Sequence, residues 1–192
     1  MMTTRCLKLI LAGSLFTLTA CAAQKEVRQV SNEVQAMNQQ MNKLSQQSVK
    51  LTQQNALNAN STSGAYLLPD SKTAAQLDSQ IGTLTMTLSK VVATNNGTRA
   101  TLTIRGGNSA PLPAFSGKVE WGQLQGTLEN YQEVNVQTYP INVPKSVLVP
   151  SDVDIPLDMP GITPDQLGFI RVHDIVPSDP SYQPPAKSPF AS

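Results

Sequence analysis

The sequence predicts a mainly β protein, an immunoglobulin-like antiparallel β-sandwich preceded by a long N-terminal helix that could enter a coiled coil. Three observations point there. Apolar residues between Val27 and Leu51 recur at spacings of three and four, the period of a helix. From Ala65 onward the period changes to two, the period of strands. Runs of that second kind, six or seven of them, follow one another between Gly, Pro and Asn with no long helical pattern among them, which favours a sandwich over an α/β fold.

Before the helix comes a segment of another character. Arg5 and Lys8 precede the apolar run Leu9 to Leu18, and Thr19 and Ala20 are small residues ahead of Cys21. This is the layout of a secretory signal peptide over residues 1–20. The apolar run is shorter than the roughly 20 residues a membrane-spanning helix needs. Leu18-Thr19-Ala20-Cys21 resembles the lipobox of bacterial lipoproteins. The resemblance implies cleavage between Ala20 and Cys21, an S-diacylglycerol thioether on Cys21 and N-palmitoylation of its freed amine. The other reading of these small residues is cleavage by the ordinary signal peptidase. On the lipobox reading Cys6 leaves with the signal and Cys21 is consumed by lipid, so no thiol remains for a disulfide. Multiple acyl chains exceed the two signals that stable anchoring requires. Ala22 stands where the Gram-negative sorting pattern has Asp for inner-membrane retention. Its presence resembles outer-membrane cargo with the body in the periplasm.

The helix is expected from Lys25 to about Gln54. Val27, Val30, Val34, Met37, Met41, Leu44 and Leu51 fall on an a/d seam, with Ser48 at the a position between the last two, and Gly and Pro are absent from Cys21 to Asn60. A narrow seam suits a lipid-anchored stalk over residues 21–62 that self-associates through residues 25–54. The e and g positions offer no complementary charges, and the seam ends at Asn55 and Asn58, so a polar tether helical only in part is the alternative. VSNEVQAMNQQMNKLSQQ resembles the helical part of murein lipoprotein. This chain ends Pro189-Phe190-Ala191-Ser192 rather than in the lysine by which that lipoprotein joins peptidoglycan, so wall attachment is not carried over. Asn58 to Gly64 is expected to be a loop.

The β region is placed at residues 63–176. GTLTMTLSK (82–90) alternates, Asn95-Asn96-Gly97-Thr98 offers a turn able to accept positive φ, and Ala100, Leu102 and Ile104 return in a second strand. Pro111 and Pro113 exclude a central strand where they stand. Further strands are expected at GKVEWG, YQEVNVQT, SDVDIPLD and FIRVHDI, with a helical turn capped by Thr163 and begun by Pro164 before the last. Trp121 is expected in the core. Pro177 to Ser192 is expected to form a Pro-rich flexible tail.

The lipobox, the Gln-rich helix, IGTLTMTLSKVVATNNGTRATLTIR, LPAFSGKVEWG and GITPDQLGFIRVHDI together resemble the uncharacterised enterobacterial outer-membrane lipoproteins of the YajI type. That resemblance implies an envelope location and a β-rich periplasmic domain, and supplies no catalytic residues.

Composition and residue chemistry exclude several function classes. The net charge is +1 with 14% charged residues, and the basic residues are scattered rather than gathered into a stripe, so nucleic-acid binding is rejected. No cofactor is implied. His173, the one histidine, shares a face with Arg171 and is expected at the surface, and no Gly-x-Ser-x-Gly accompanies it. A zinc site is excluded for want of His and Cys ligands. Asp152, Asp154 and Asp158 could offer oxygens to calcium but lack the EF-hand glycine and terminal glutamate; their alternation with Val153, Ile155 and Leu157 fits the solvated face of an edge strand. Glu120, Glu129 and Glu133 are the carboxylates from which a glycosidase pair could be drawn. No catalytic or metal site is assigned. The expected role is structural or adaptor, with an envelope protein or peptidoglycan as partner. The alternative is a small-ligand or glycan-binding module, and an envelope hydrolase comes third.

Overall fold

The computed structural model describes residues 17–107, 111–127, 130–145 and 152–184, with side chains from residue 28 onward. The expected signal peptide up to Phe16, the Cys21 side chain, Glu129 and the tail from residue 185 therefore lie outside what is described. The chain divides between Ser45 and Gln46 into two compact units.

Helix α1 (Thr17–Asn60) contributes residues to both units. In the first, Val30, Val34, Met37, Met41 and Leu44 are all exposed, so the apolar seam has no partner within the chain among the described residues. In the second, α1 continues past the point where the apolar seam ends. The reason is a change in chemistry rather than a change in period: the residues turned inward become polar, with Gln54 only 1% exposed, and they bond to the β unit.

Among the described residues eight strands follow: β1 (Gly64–Leu67), β2 (Ala75–Ser79), β3 (Gly82–Thr94), β4 (Gly97–Gly106), β5 (Phe115–Thr127), β6 (Asn130–Val143), β7 (Asp152–Pro160) and β8 (Phe169–Pro177). They form two four-stranded sheets, ordered β1-β8-β5-β6 and β2-β3-β4-β7, with every pair antiparallel. Their inner faces share one core, in which Val119, Trp121, Ile170 and Val172 meet Leu84, Met86, Leu102 and Leu157. This is the expected β-sandwich behind a helix. Two strands exceed the expectation, β1 and β2, both too short to show a clear alternation. A second, smaller cluster lies on the outer face of the first sheet, where Leu57 of α1 packs with Tyr66, Leu68, Phe169 and Leu124.

Edges and bulges shape the sandwich. Pro140 in β6 and Pro156 in β7 stand in strands that end their sheets, the place where a missing N–H breaks no ladder on the free side. Three ladders carry a bulge of two residues against one, and Lys90, Asn135 and Asp174, the first extra residue of each, have φ of 52°, 55° and 54°. Such bulges bend a strand and re-aim its side chains. The β3–β4 hairpin turns on Asn95 and Asn96, and Gly97 after them is needed for a close approach: a Cβ there would lie 2.2 Å from the Met159 carbonyl oxygen.

The expected flexible tail is corrected over its first residues. The Ser178 N–H donates to the Ala114 carbonyl at 2.9 Å and Tyr182 packs on the main core. An aromatic ring among the prolines supplies the apolar surface that holds this segment.

Candidate functional site

Two places on the β unit gather chemistry. The first is the outer face of the β1-β8-β5-β6 sheet. Alternation in β8 puts Ile170 and Val172 inward and Arg171 and His173 outward. Register then sets Arg171 between Tyr66 of β1 and Glu120 of β5. The Arg171 guanidinium donates to Glu120 Oε2 through Nε at 3.0 Å and also through Nη2. Its Nη1 donates to the Tyr66 hydroxyl at 2.6 Å and to Glu133 Oε1 at 3.1 Å, and the Tyr66 hydroxyl donates to Glu133 Oε1.

His173 is corrected from a surface histidine to one whose side chain is 12% exposed. Asp174, aimed by its bulge, lies 3.3 Å from His173 Nδ1 and accepts a hydrogen bond from Lys118 Nζ at 3.0 Å. Glu120 Oε1 is 3.3 Å from His173 Nε2, yet the two are not aligned, and Nε2 makes no hydrogen bond.

The electrostatics of this cluster oppose acid–base work. Burial pushes the Glu120 carboxyl up, but the hydrogen bonds and charge of Arg171, with smaller help from His173 and Thr138, carry it below the usual carboxylate range. Burial and the bond to Glu133 push the Tyr66 phenol up to about 12, against the opposing charge of Arg171. A glycosidase pair needs one carboxylic acid that keeps its proton near neutral pH. Here one guanidinium binds both carboxylates, and at Glu120 it favours the charged form. The cluster is a brace across four strands, tying β1, β5, β6 and β8. Beside it a polar cavity of about 210 Å³ lies between the last turn of α1 and Tyr66, Tyr131 and Glu133.

The three aspartates do not converge. Asp152, Asp154 and Asp158 lie along the outer face of edge strand β7 and pair in turn with Arg105, Thr103 and Arg99 of β4. Among the described residues no three His, Cys, Asp or Glu side chains are grouped to hold a metal ion.

The second place is a cleft of about 650 Å³ where the two sheets part. Trp121 and Val119 of β5 face the core, and their cross-strand partners Gln137 and Tyr139 share that inner face. Further along β6, Ile141 and Val143 are covered. At Gln137 and Tyr139 the covering stops: Tyr139 is 53% exposed while Trp121 remains 4% exposed. The bulge at Asn135 lies just before them in β6, and a bulge bends the strand that carries it. Met159 and Pro160 of β7 and the Asn95-Asn96 turn close the other side. The Trp121 Nε1–H, buried, has no hydrogen-bond partner.

Sequence reasoning missed the polar bracket under α1. Gln54 Oε1 accepts from the Leu68 N–H at 2.9 Å and the Ser71 hydroxyl at 2.6 Å, and its Nε2 donates to the Thr73 carbonyl at 3.2 Å. Asn58 accepts from the Tyr66 N–H at 2.7 Å and donates to its carbonyl at 3.0 Å, completing the free edge of β1. Amide side chains on a helix give no hydropathy signal. Their sole trace was the unbroken helical spacing of Leu51, Gln54 and Asn58.

The chain is 58% identical over 176 residues to the Uncharacterized lipoprotein YajI of Escherichia coli strain K12, covering 92% of this chain and 98% of that protein. The solution NMR structure of that lipoprotein superposes with a TM-score of 0.66 at 61% identity, over 69% of this chain and 79% of the other. The Salmonella enterica trimeric lipoprotein SadB gives a TM-score of 0.48 at 11% identity over 91% of this chain and 92% of that one, a likeness from which nothing follows here. A family model described as protein of unknown function matches residues 21–183. The chain therefore belongs to the DUF3251 family, together with the YajI lipoprotein of Escherichia coli.

Proposed function

We propose that this protein is anchored in the outer membrane through acylated Cys21, with its β unit in the periplasm, and that it acts by contact with an envelope protein or peptidoglycan rather than by catalysis. The observation that carries the reading is Leu18-Thr19-Ala20-Cys21 directly after an apolar segment, in a chain whose 58%-identical relative is named a lipoprotein. Ala22 supports the outer membrane over the inner one. The Arg171 brace supports a non-catalytic role, because it occupies the carboxylates an envelope hydrolase would use. The exposed seam of Met37, Met41 and Leu44 supports self-association through residues 25–54.

Crosslinking in intact envelopes followed by partner identification tests this. The expected result is one or a few envelope proteins or peptidoglycan fragments joined to the β unit, and a second copy joined to residues 25–54. Recovery of nothing above an untagged control would overturn the adaptor role. A second reading, a small-ligand or glycan-binding module, is favoured by the cleft at Trp121 and Tyr139.

A further inference from the structure

From the lining of the cleft between β6 and β7 we infer that it binds an uncharged N-acetylated sugar. The inference rests on the ligand-binding reading above and names the ligand class and the residues that would take it. A cleft of about 650 Å³ lies within the range of small-ligand sites, about 300 to 1,000 Å³.

Charge argues for a neutral occupant. The charges at its rim are Arg99 and Asp158, and the Arg99 Nε already donates to Asp158 Oδ1 at 2.6 Å. Neither an anion nor a cation would meet an unpaired opposite charge. The edges argue against an added peptide strand. Pro140 in β6 and Pro156 and Pro160 in β7 carry no N–H, so an incoming strand would find both ladders interrupted. Recognition has to come from side chains.

Those side chains fit a sugar. Tyr139 offers a half-exposed ring on the inner face, an amphipathic surface on which the C–H face of a pyranose can lie. Asn95, Asn96 and Gln137 add amides at the rim, each able both to donate to and to accept from hydroxyl groups.

The buried Trp121 Nε1–H, without an acceptor, narrows the class further. An acetamido group brings a carbonyl acceptor and a methyl group together, matching one donor set in a largely apolar wall beside Met159 and Pro160. Gln137, the cross-strand neighbour of Trp121, is exposed and held by a long 3.4 Å bond to the Pro160 carbonyl. It is the side chain that turns aside to admit the acceptor.

Trp121 is the one tryptophan of the chain, so its emission reports on the cleft directly. The test titrates the full chain, purified in detergent, with chitotetraose, the β-1,4 tetramer of N-acetylglucosamine, and with cellotetraose, the same backbone without acetamido groups. The expected result is a saturable change in Trp121 emission with chitotetraose at least about tenfold tighter than with cellotetraose. Tyr139→Ala should weaken chitotetraose by about tenfold or more with the melting transition unchanged.

Equal affinity for the two sugars would overturn the acetamido assignment. Binding indifferent to Tyr139→Ala would place the sugar elsewhere and overturn the site. Silence with both sugars, while an apolar naphthalene sulfonate dye still quenches Trp121 by energy transfer, would overturn the sugar proposal and leave the ligand-binding reading standing. Silence with the dye as well would remove both.

Discussion

Trp121 and Gln137 are cross-strand partners on the same face of one sheet, yet the first is buried and the second exposed. A sandwich whose sheets stayed in contact would cover both. The difference marks where the sheets part. Gln137→Ala should leave stability within about 0.5 kcal/mol, as exposed substitutions do, while making Trp121 more open to acrylamide. Stern–Volmer quenching of the variant and the parent measures this, and equal quenching constants would mean that Gln137, though paired with Trp121 across the strands, does not shield the indole.

Arg171→Ala should be costly. It leaves Glu120 and Glu133, whose side chains are 14% and 25% exposed, facing each other without the cation between them. Breaking a largely buried charge set destabilises by about 3 kcal/mol, which urea unfolding would show as a lowered midpoint. Arg171→Lys should recover only part of the loss, because an ammonium cannot reproduce the planar fork that reaches Glu120, Glu133 and the Tyr66 hydroxyl together. Full recovery by lysine would contradict the brace.

The same cluster predicts how stability follows pH. Glu120 has its pKa lowered on folding despite burial, through Arg171. Its contribution is therefore present above the unfolded carboxylate value of about 4.3 and is lost as pH falls through the lower folded value. Tyr66 has its pKa raised to about 12. Its contribution is present below the unfolded phenol value of about 10 and is lost as pH rises through the folded one. In an ultraviolet absorbance titration, one of the four tyrosines should ionise near pH 12, and Tyr66→Phe should remove that phase. Persistence of the late phase in the variant would show that another phenol carries it.

Gln54→Leu keeps the volume and deletes the bonds. The Leu68 N–H and the Thr73 carbonyl would lose their Gln54 partner under α1, a cost of about 3 kcal/mol. Hydrogen exchange should speed up in residues 46–60 and 68–73 of the variant. An unchanged unfolding midpoint would mean that the bracket does not hold the helix end to the sheet.

The sandwich was legible because its inner faces obey a period of two. Leu84, Met86, Leu102 and Ile104 read as core from spacing alone, and the β7 aspartates, alternating with Val153, Ile155 and Leu157, read as the outer face of an edge strand. The brace was legible only in part. Alternation put Arg171 and His173 on one face, but meeting Glu120 and Glu133 depends on the register of three strands and on bulges at Asp174 and Asn135, and no local pattern encodes register. Glu120 and Glu133 were therefore singled out as carboxylates without the cation that joins them. The cleft was illegible for a related reason: YQEVNVQT shows that β6 alternates, but not where the opposite sheet stops covering it.

The anchor is the claim on which the rest of the reading depends, and metabolic labelling with palmitate tests it most directly. In cells given labelled palmitate, the wild-type chain should take the label and sediment with membranes. Cys21→Ser should take none and remain a precursor or a soluble form. Label entering Cys21→Ser as it enters the wild type would contradict the account.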